Sequence, residues 1–146
     1  MNAIKKISSK ETVTVRHPVL RSGKNIETCI FEGDDLDTTH HFGYYVDGKL
    51  VGVISIYQNK NSNFNSDNQF QIRGMAVLNT HQKKGFGKQL INYCENFTFV
   101  QNNKLIWMNA RVSAVSFYEK LGYKKINSSF EIKDVGFHFL MYKEIG

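Results

Sequence analysis

The sequence predicts a mixed α+β domain in which a mostly antiparallel sheet of about seven strands is flanked by helices. Three observations predict this fold class. Strand-like hairpins occur in the middle and at the end of the chain, strand–helix–strand segments lie between them, and 146 residues with 41% hydrophobic composition suffice for one ordinary core. We therefore expect residues 1–146 to form a single domain.

The N-terminal region predicts a short strand followed by a helix. Residues 4–7 begin and end with isoleucine and suit a first strand. Ser8 or Ser9 is of a residue type that caps helix N-termini. Pro18 is expected to distort the end of this helix, because proline lacks an amide donor. The apolar residues expected on its buried face are Val13, Val15 and Leu20.

Two β-hairpins are predicted. Residues 40–46 and 50–57 are rich in β-branched and aromatic side chains, and they flank Asp47-Gly48, a dipeptide typical of a type I′ turn. The second hairpin is formed by two strands at the end of the chain. These strands are expected over residues 123–132 and 137–145, with a turn around residues 134–136.

Between the hairpins, the sequence predicts a loop and two strand–helix units. Residues 58–69 are mainly Asn and Ser and predict a loop anchored by Phe64, and residues 70–78 predict a strand. Side chains then recur at three- and four-residue steps, so a helix is expected from near Gly85. The repeating positions are Phe86, Leu90, Tyr93, Cys94, Phe97 and Gln101.

The second of these units follows directly. Residues 105–109 predict a short buried strand, and Ser113 is expected to cap a helix that ends at Gly122. The expected apolar face of this helix consists of Ala114, Phe117, Tyr118 and Leu121.

Composition narrows the functional classes. The chain carries 19 Lys and Arg against 13 Asp and Glu, and a net charge of +6 favours anionic partners. The longest near-apolar run, residues 50–57, is too short to span a membrane, and the N-terminus lacks the apolar region of an export signal. Cys29 and Cys94 lie far apart among apolar neighbours, as reduced core thiols do. We expect a cytoplasmic protein with no membrane partner and, since its His and Cys residues lack zinc-site spacing, no metal.

A phosphate-binding turn is predicted between the fourth strand and the helix that follows it. The segment Lys83-Lys84-Gly85-Phe86-Gly87-Lys88 combines helix N-terminal amides, two glycines and three lysines, and such helix ends attract phosphate. A Walker A loop would need Gly at Gln82 and Ser or Thr at Gln89, and a dinucleotide fingerprint would need Gly or Ala at Leu90. Neither spacing fits, which leaves a phosphate site or a solvated turn without a ligand.

Two motifs resemble those of the GNAT superfamily of N-acetyltransferases. Gln82-Lys83-Lys84-Gly85-Phe86-Gly87 resembles its acetyl-CoA signature, Gln/Arg-x-x-Gly-x-Gly/Ala, and follows a strand as in that family. Residues 114–123, AVSFYEKLGY, resemble its A-x-x-x-Y-x-x-x-G-F/Y helix. One departure is Arg111, which stands where many members carry Asn, with Asn109 two residues earlier. The resemblance covers roughly residues 4–145.

The resemblance implies that acetyl-CoA donates its acetyl group to a primary amine by direct attack, with Tyr118 protonating the departing thiolate as general acid. It leaves open whether the acceptor is a small-molecule or a peptide amine, and whether the protein is a homodimer. A core role for Tyr118 and an ordinary strand at residues 75–77 remain structural alternatives. The implied cofactor-binding residues are Met75, Ala76, Val77, Gln82, Lys83, Lys84, Gly85, Phe86, Gly87, Lys88, Asn109 and Ser116.

Candidate residues for the acceptor side come from groups that can take a proton or bind charge. Glu32 and His138 are candidate catalytic bases, and Asp34, His41 and Arg73 are candidate substrate-binding residues. A solvated loop group, a satisfied sheet residue or an ion-pair partner is the structural alternative for each. The resemblance places the acidic cluster over the acceptor entrance, where it would attract a cationic amine. This cluster consists of Glu32, Asp34, Asp35 and Asp37.

Two other functions compete with acetyl transfer. A nucleic-acid-binding module would suit the net charge of +6, but the basic residues are scattered and no RNA-binding signature is present, so we do not expect a nucleic-acid partner. A non-catalytic CoA-binding sensor would keep the fold without turnover, and Tyr118 argues against it.

Overall fold

The computed structural model describes residues 1–97 and 104–145, and within these ranges seven strands and three α-helices follow the predicted order. The strands are β1 (Asn2–Ile7), β2 (His40–Val46), β3 (Lys49–Tyr57), β4 (Gln69–Val77), β5 (Lys104–Arg111), β6 (Lys124–Ile132) and β7 (Gly136–Ile145). The α-helices are α1 (Ser9–Leu20), α2 (Phe86–Phe97) and α3 (Val115–Lys120), and short 3₁₀ turns cover Ile26–Cys29, Asn79–His81 and Val112–Ala114.

The seven strands form one sheet in the order β1-β2-β3-β4-β5-β7-β6. The pairs β1–β2, β2–β3, β5–β7 and β6–β7 are antiparallel. Strands β4 and β5 run parallel, with Gln69 opposite Leu105 and Gln71 opposite Trp107. The predicted α+β class, with a mixed and mostly antiparallel sheet, is confirmed.

The chain divides into two compact units, and β4 contributes residues to both. The first unit contains residues 1–58 and 72–97, and the second contains residues 59–71 and the described residues from 104 onwards. The assignment of residues 1–146 to a single domain stays a prediction. No helix within the described ranges is long and apolar enough to cross a membrane.

Ser8, the first of the two serines predicted as a cap, is the N-cap residue of α1. The Glu11 amide donates to Ser8 Oγ at 3.2 Å, and the Ser8 amide donates to Glu11 Oε1 at 2.9 Å, which completes a capping box. The helix continues two residues beyond Pro18 and ends at Leu20. Local sequence signals therefore fix the start of α1 more sharply than its end.

The turn predictions have mixed outcomes. Asp47 and Gly48 have φ values of 48° and 82°, as a type I′ turn requires, and Gly122 follows α3 with a φ of 95°. The prediction that Ser113 caps the helix is wrong. Ser113 lies inside a 3₁₀ turn that shifts the cap position to Ala114, where no side chain caps the helix.

Helix α2 packs only in part as its sequence repeat predicts, because Tyr93 and Phe97 of that repeat are exposed. Phe86, Leu90 and Cys94 are buried along one face, and Cys29 and Cys94 are both free and buried, as expected of reduced core thiols. Gln101, which the repeat also placed on this helix, lies outside the described residues.

The buried face of α1 differs from the apolar face predicted from the sequence. Thr12, Val15 and Arg16 are buried, whereas Val13 and Leu20 are only partly covered. A charged side chain on the inner face needs compensation, because an unpaired buried charge costs several kcal/mol.

Asp34 provides that compensation for Arg16, which has 0% of its surface exposed. Arg16 Nη1 donates to Asp34 Oδ2 at 2.7 Å and Nη2 donates to Asp34 Oδ1 at 3.2 Å, a two-pronged geometry suited to a guanidinium and a carboxylate. Nη1 also donates to the Cys29 carbonyl at 2.9 Å, and Nη2 to Ser55 Oγ at 2.9 Å. The ion pair thus joins α1, the segment after it and β3.

The remaining partners complete a buried polar network. His41 Nε2 lies 2.8 Å from the Asp34 carbonyl, so this nitrogen carries the hydrogen, and Nδ1 accepts from the Ser55 hydroxyl. The Tyr57 hydroxyl donates to Asp34 Oδ1, and the Phe31 amide donates to Asp34 Oδ2 at 2.9 Å. We call Arg16, Asp34, His41, Ser55 and Tyr57 the buried network.

The network keeps Asp34 ionised and Tyr57 neutral. Burial alone would raise the pKa of Asp34, but hydrogen bonds from Arg16, Tyr57 and the Phe31 amide outweigh it and hold that pKa below its usual value. Burial, together with the hydrogen bond to Asp34, raises the pKa of Tyr57 to about 12. At neutral pH the Arg16–Asp34 ion pair is therefore fully charged, and each of the two charges compensates the other.

The second unit has its own core and holds the predicted loop. Leu105, Trp107 and Leu140 form this core, and the Trp107 indole donates to the Asn59 carbonyl at 3.0 Å. The Phe64 ring lies 5.2 Å from that of Tyr142 and packs on the same core, as expected of the loop's anchor.

We predict that Asp34→Asn destabilises the protein by about 3–5 kcal/mol at pH 7, because it leaves the buried Arg16 charge without a counter-charge. The folded-state pKa of Asp34 is lowered, so its contribution is present above the unfolded-state pKa of about 3.9 and is lost as pH falls through the lower folded-state value. The gap between wild type and variant should therefore narrow from pH 7 to pH 3 in urea unfolding.

Asp37→Asn is the matched control, since Asp37 is exposed in the same segment and should change stability by less than about 0.5 kcal/mol. An Asp34→Asn protein as stable as wild type at pH 7 would contradict the structural role of the ion pair.

Candidate active site

A closed turn connects β4 to α2. The Gln82 side-chain amide donates to the Val77 carbonyl at 2.8 Å and to Asn79 Oδ1 at 3.0 Å, which ties the turn back to the end of the strand. Lys83 and Gly85 have φ values of 63° and 82°. This backbone needs a glycine at one of its two left-handed positions and tolerates a lysine at the other.

The N-terminus of α2 presents free amide donors beside that turn. The Gln89 amide donates to the Gly85 carbonyl at 3.1 Å, so the amides of the three preceding residues belong to the first helical turn, where no intrahelical acceptor exists. Apart from Gly85 and its two chain neighbours, no atom of the described residues lies within 4 Å of the place where a Cβ on Gly85 would stand, so the backbone is open to an anion. The side chains of Lys83, Lys84 and Lys88 are exposed.

Phe86 anchors the start of α2 in the first unit. Its side chain is buried, and its ring stacks on Tyr44 with centroids 4.2 Å apart and planes inclined by 19°. The Tyr44 hydroxyl donates to Gln89 Oε1 at 3.1 Å. These contacts hold the first turn of α2 in place, so its amides are fixed in direction. Because several amide donors converge there, the β4–α2 turn fits a diphosphate better than a carboxylate.

The strand before the turn is interrupted at Gly74. This residue has a φ of 65°, and the described β4–β5 pairing covers only Gln69, Phe70 and Gln71. Met75 is half-buried, and Ala76 and Val77 are buried.

Three arginines lie around the Phe31 ring, and one of them, Arg73, is an acceptor-side candidate. The guanidinium carbons of Arg16, Arg73 and Arg21 lie 4.0, 4.8 and 5.4 Å from its centroid. Arg73 also lies 5.4 Å from the Tyr57 centroid and donates to the Glu32 carbonyl at 3.4 Å. The Glu32 side chain is exposed, so Phe31 and Glu32 form the boundary between the buried network and solvent.

Asp34 and His41, two of the predicted substrate-binding residues, are both buried, and their role stays a prediction. Asp34 is 5% exposed and both of its carboxylate oxygens are engaged, while both ring nitrogens of His41 have partners. Neither side chain has a free polar atom to offer an acceptor. Asp34 is therefore the buried member of the acidic cluster, whereas the other three members are exposed. These are Glu32, Asp35 and Asp37.

The second unit carries the remaining predicted residues. Tyr118 is 7% exposed, and its ring lies 5.1 Å from that of Phe117 and 5.9 Å from that of Tyr123. Asn109 lies on β5 and Ser116 on α3, and both are exposed.

His138 is buried on β7. Its Nδ1 lies 2.8 Å from the Gly136 carbonyl, so Nδ1 carries the hydrogen and Nε2 holds the lone pair. Within residues 1–97 and 104–145, no group of three or more His, Cys, Asp or Glu side chains is placed to hold a metal ion.

Comparison with known proteins decides the family. The model of the acetyltransferase (GNAT) domain matches residues 9–144. The chain belongs to the GNAT acetyltransferase family. The uncharacterized N-acetyltransferase YitI of Bacillus subtilis is 30% identical over 145 residues, which cover 99% of this chain and 97% of that protein.

Solved structures agree with this family at the level of the fold. An aminoglycoside 6′-N-acetyltransferase complexed with coenzyme A superposes with a TM-score of 0.76 at 14% identity, covering 97% of this chain and 96% of that one. The ribosomal-protein-S18-alanine N-acetyltransferase of Escherichia coli gives a TM-score of 0.76 at 15% identity, covering 99% and 94%. Family membership identifies the chain as an acetyl-CoA-dependent N-acetyltransferase.

Sequence reasoning missed three residues that organise this acetyltransferase. Arg16, Ser55 and Tyr57 form buried contacts next to the candidate acceptor-side residues. The local sequence does not indicate their burial, because an arginine in a helix or a polar residue in a strand is usually exposed. Their hydrogen-bond partners lie 13 to 41 residues away in sequence.

We predict that Gly74→Ala destabilises the acetyltransferase more than Gly48→Ala does. Both glycines have positive φ, which costs other residues about 1–2 kcal/mol. A Cβ at Gly74 would also lie 3.1 Å from both Arg16 Nε and Phe31 Cε2, whereas a Cβ at Gly48 would meet no atom within 4 Å. Overpacking should add about 1–3 kcal/mol in denaturant unfolding. Equal losses in the two variants would show that the space above Gly74 is not tightly packed.

Proposed function

We propose that this acetyltransferase moves the acetyl group of acetyl-CoA to a primary amine by direct attack. The observation that carries the binding part of the proposal is the turn between β4 and α2. It combines left-handed backbone at Lys83 and Gly85, open space over Gly85, and free amides at the helix start. The pyrophosphate would accept from the amides of residues 85–88, while the side chains of Lys83, Lys84 and Lys88 add positive charge.

The strand residues before the turn would hold the pantetheine arm. The arm carries two amides, and an extended backbone such as that of Met75, Ala76 and Val77 pairs with amides as it would with another strand. Gln82 supports this part of the site, because its side chain joins the Val77 carbonyl to the turn. Asn109 is proposed for cofactor binding although it lies two residues before the position where many members carry Asn. Ser116 is proposed because it lies within the segment that resembles the family's helix motif. Both side chains are exposed.

The chemistry needs one proton removed and one proton supplied. The acceptor amine loses a proton, its nitrogen bonds to the thioester carbonyl carbon, and the carbon–sulfur bond breaks. Tyr118 would protonate the departing thiolate from its hydroxyl.

Glu32 and His138 are the proposed alternatives for the base. Glu32 is an exposed carboxylate, while in the neutral imidazole of His138 the Nε2 nitrogen is the acceptor, because Nδ1 donates to the Gly136 carbonyl.

We expect Gly87→Asp to weaken acetyl-CoA binding by at least about tenfold. A carboxylate about 4 Å from a phosphate is repelled by about 1 kcal/mol in water and about 4 kcal/mol at a partly buried site. Gly87 is the second residue of α2, where an acidic side chain favours the helix, so the variant should stay folded. Calorimetry with acetyl-CoA measures the affinity.

Asn92→Asp is the control for this experiment. It adds the same charge at an exposed position of the same helix, five residues further on, and should leave the affinity unchanged. A folded Gly87→Asp protein with wild-type affinity would remove the turn from the cofactor site.

We further expect Tyr118→Phe to keep acetyl-CoA affinity while lowering kcat by about 10- to 10⁴-fold, because general-acid catalysis is worth about 10² to 10⁴ and water replaces part of it. Tyr123→Phe is the matched control, since Tyr123 is also buried and its ring contacts Tyr118. Steady-state rates are compared with single-turnover rates so that chemistry is known to limit kcat. Equal kcat for wild type and Tyr118→Phe under that condition would make Tyr118 a packing residue.

A further inference from the structure

Arg73 has a guanidinium whose orientation is fixed but whose donors are mostly unused. Its central carbon lies over two aromatic rings, at 4.8 Å from the Phe31 centroid and 5.4 Å from the Tyr57 centroid. Among the described residues it makes one hydrogen bond, from Nη1 to the Glu32 carbonyl, which is long at 3.4 Å. A guanidinium carries five N–H groups, so most of them remain available.

Arg16 and Arg73 share the Phe31 ring but differ in their anionic partners. Arg16 lies beneath, fully buried, and binds Asp34 through both terminal nitrogens. Arg73 is half-buried, and among residues 1–97 and 104–145 no carboxylate lies within 4 Å of it. The structure thus pairs the inner arginine with an internal carboxylate, although Arg16 Nε has no hydrogen-bond partner among the described residues, whereas the outer arginine has no such carboxylate.

The position of Arg73 in the chain places this anion site beside the proposed cosubstrate site. Arg73 precedes Met75 on β4 by two residues, so the two residues are at most about 7 Å apart along the chain. The exposed side chain of Glu32 follows Phe31 directly, and Asp35 and Asp37 are exposed in the same segment. In the first unit, the guanidinium of Arg73 therefore lies beside a segment that carries three exposed carboxylates.

We propose that Arg73 binds a carboxylate of the acceptor, so that the substrate is an amino-acid-like amine carrying both an ammonium and a carboxylate group. This inference rests on the proposed acetyl transfer. A guanidinium fork matches the two oxygens of a carboxylate, and stacking on Phe31 and Tyr57 lowers the entropy lost on binding. The exposed acidic side chains attract the ammonium end of the same molecule.

A phosphate-bearing amine offers the same fork-shaped partner, but the local charge favours a carboxylate. A phosphate near neutral pH carries nearly two negative charges, and the exposed carboxylates of Glu32, Asp35 and Asp37 repel it more strongly than they repel a single charge. A carboxylate is therefore the ligand assigned to Arg73.

The test compares matched acceptors in the presence of acetyl-CoA. A panel of α- and ω-amino acids is paired with the corresponding carboxamides and with the corresponding aminophosphonates, and KM and kcat are measured for wild type and Arg73→Gln. We expect wild type to acetylate at least one amino acid, and Arg73→Gln to raise the KM for it by about 10- to 100-fold with kcat within about threefold. The KM for the carboxamide should stay nearly constant. Because amidation also lowers the pKa of the amine, the decisive quantity is the change in the acid-to-amide ratio between the two proteins.

Two further variants separate recognition from packing. Arg21→Gln removes another guanidinium from the Phe31 ring and should leave the acid-to-amide ratio unchanged, whereas a merely structural role of the stacked arginines would affect both variants alike. Arg73→Lys keeps the charge but loses the fork, and should recover only part of the ratio.

Several results would overturn the inference. They are a wild-type enzyme that acetylates no acid in the panel, a ratio that Arg73→Gln leaves unchanged, an equal shift in Arg21→Gln, and a phosphonate preferred over its carboxylate. Acetyl-CoA affinity is measured first, without an acceptor. If the protein does not bind acetyl-CoA, the proposed function itself fails. If it binds acetyl-CoA but shows no preference for acids, only the role of Arg73 is overturned.

Discussion

The buried ion pair between Arg16 and Asp34 is the interaction on which the first unit depends. It fixes α1 against β3 and holds the segment that connects α1 to β2, because Arg16 also binds the Cys29 carbonyl and Asp34 accepts from the Phe31 amide. Two charges removed from water stabilise a fold only when their remaining hydrogen-bonding groups are satisfied. Both oxygens of Asp34 meet that condition, and its lowered pKa is the electrostatic consequence.

The same pair shapes the surface above it. Phe31 lies over the Arg16 guanidinium, and Gly74 leaves room for that guanidinium because it has no Cβ. Arg73 is half-buried, and its guanidinium carbon lies over the Phe31 ring and the buried Tyr57 ring, so it forms the next layer towards the solvent. The position of the Arg73 guanidinium near the surface therefore depends, through Phe31 and Arg16, on the buried carboxylate of Asp34.

The proposed binding of the two substrates uses different physics. The turn between β4 and α2 acts through backbone amides and a helix dipole, which depend on φ values at Lys83 and Gly85 rather than on particular side chains. Acceptor recognition through Arg73 would depend on one side chain and its stacking partners. This difference explains why a cosubstrate signature is readable in the sequence of a diverse enzyme family while the acceptor is not.

The sequence by itself determined the features that depend on short-range geometry. The capping box of Ser8 and Glu11, the type I′ turn at Asp47-Gly48, the strand and helix order and the turn at residues 82–88 all follow from side chains a few positions apart. Only the tertiary structure decided that Arg16 and Asp34 are buried, that His41 is a core residue and that Arg73 is stacked in place. The reason is that these contacts join residues 7 to 42 positions apart, and a charged side chain carries no local mark of the partner that makes its burial possible.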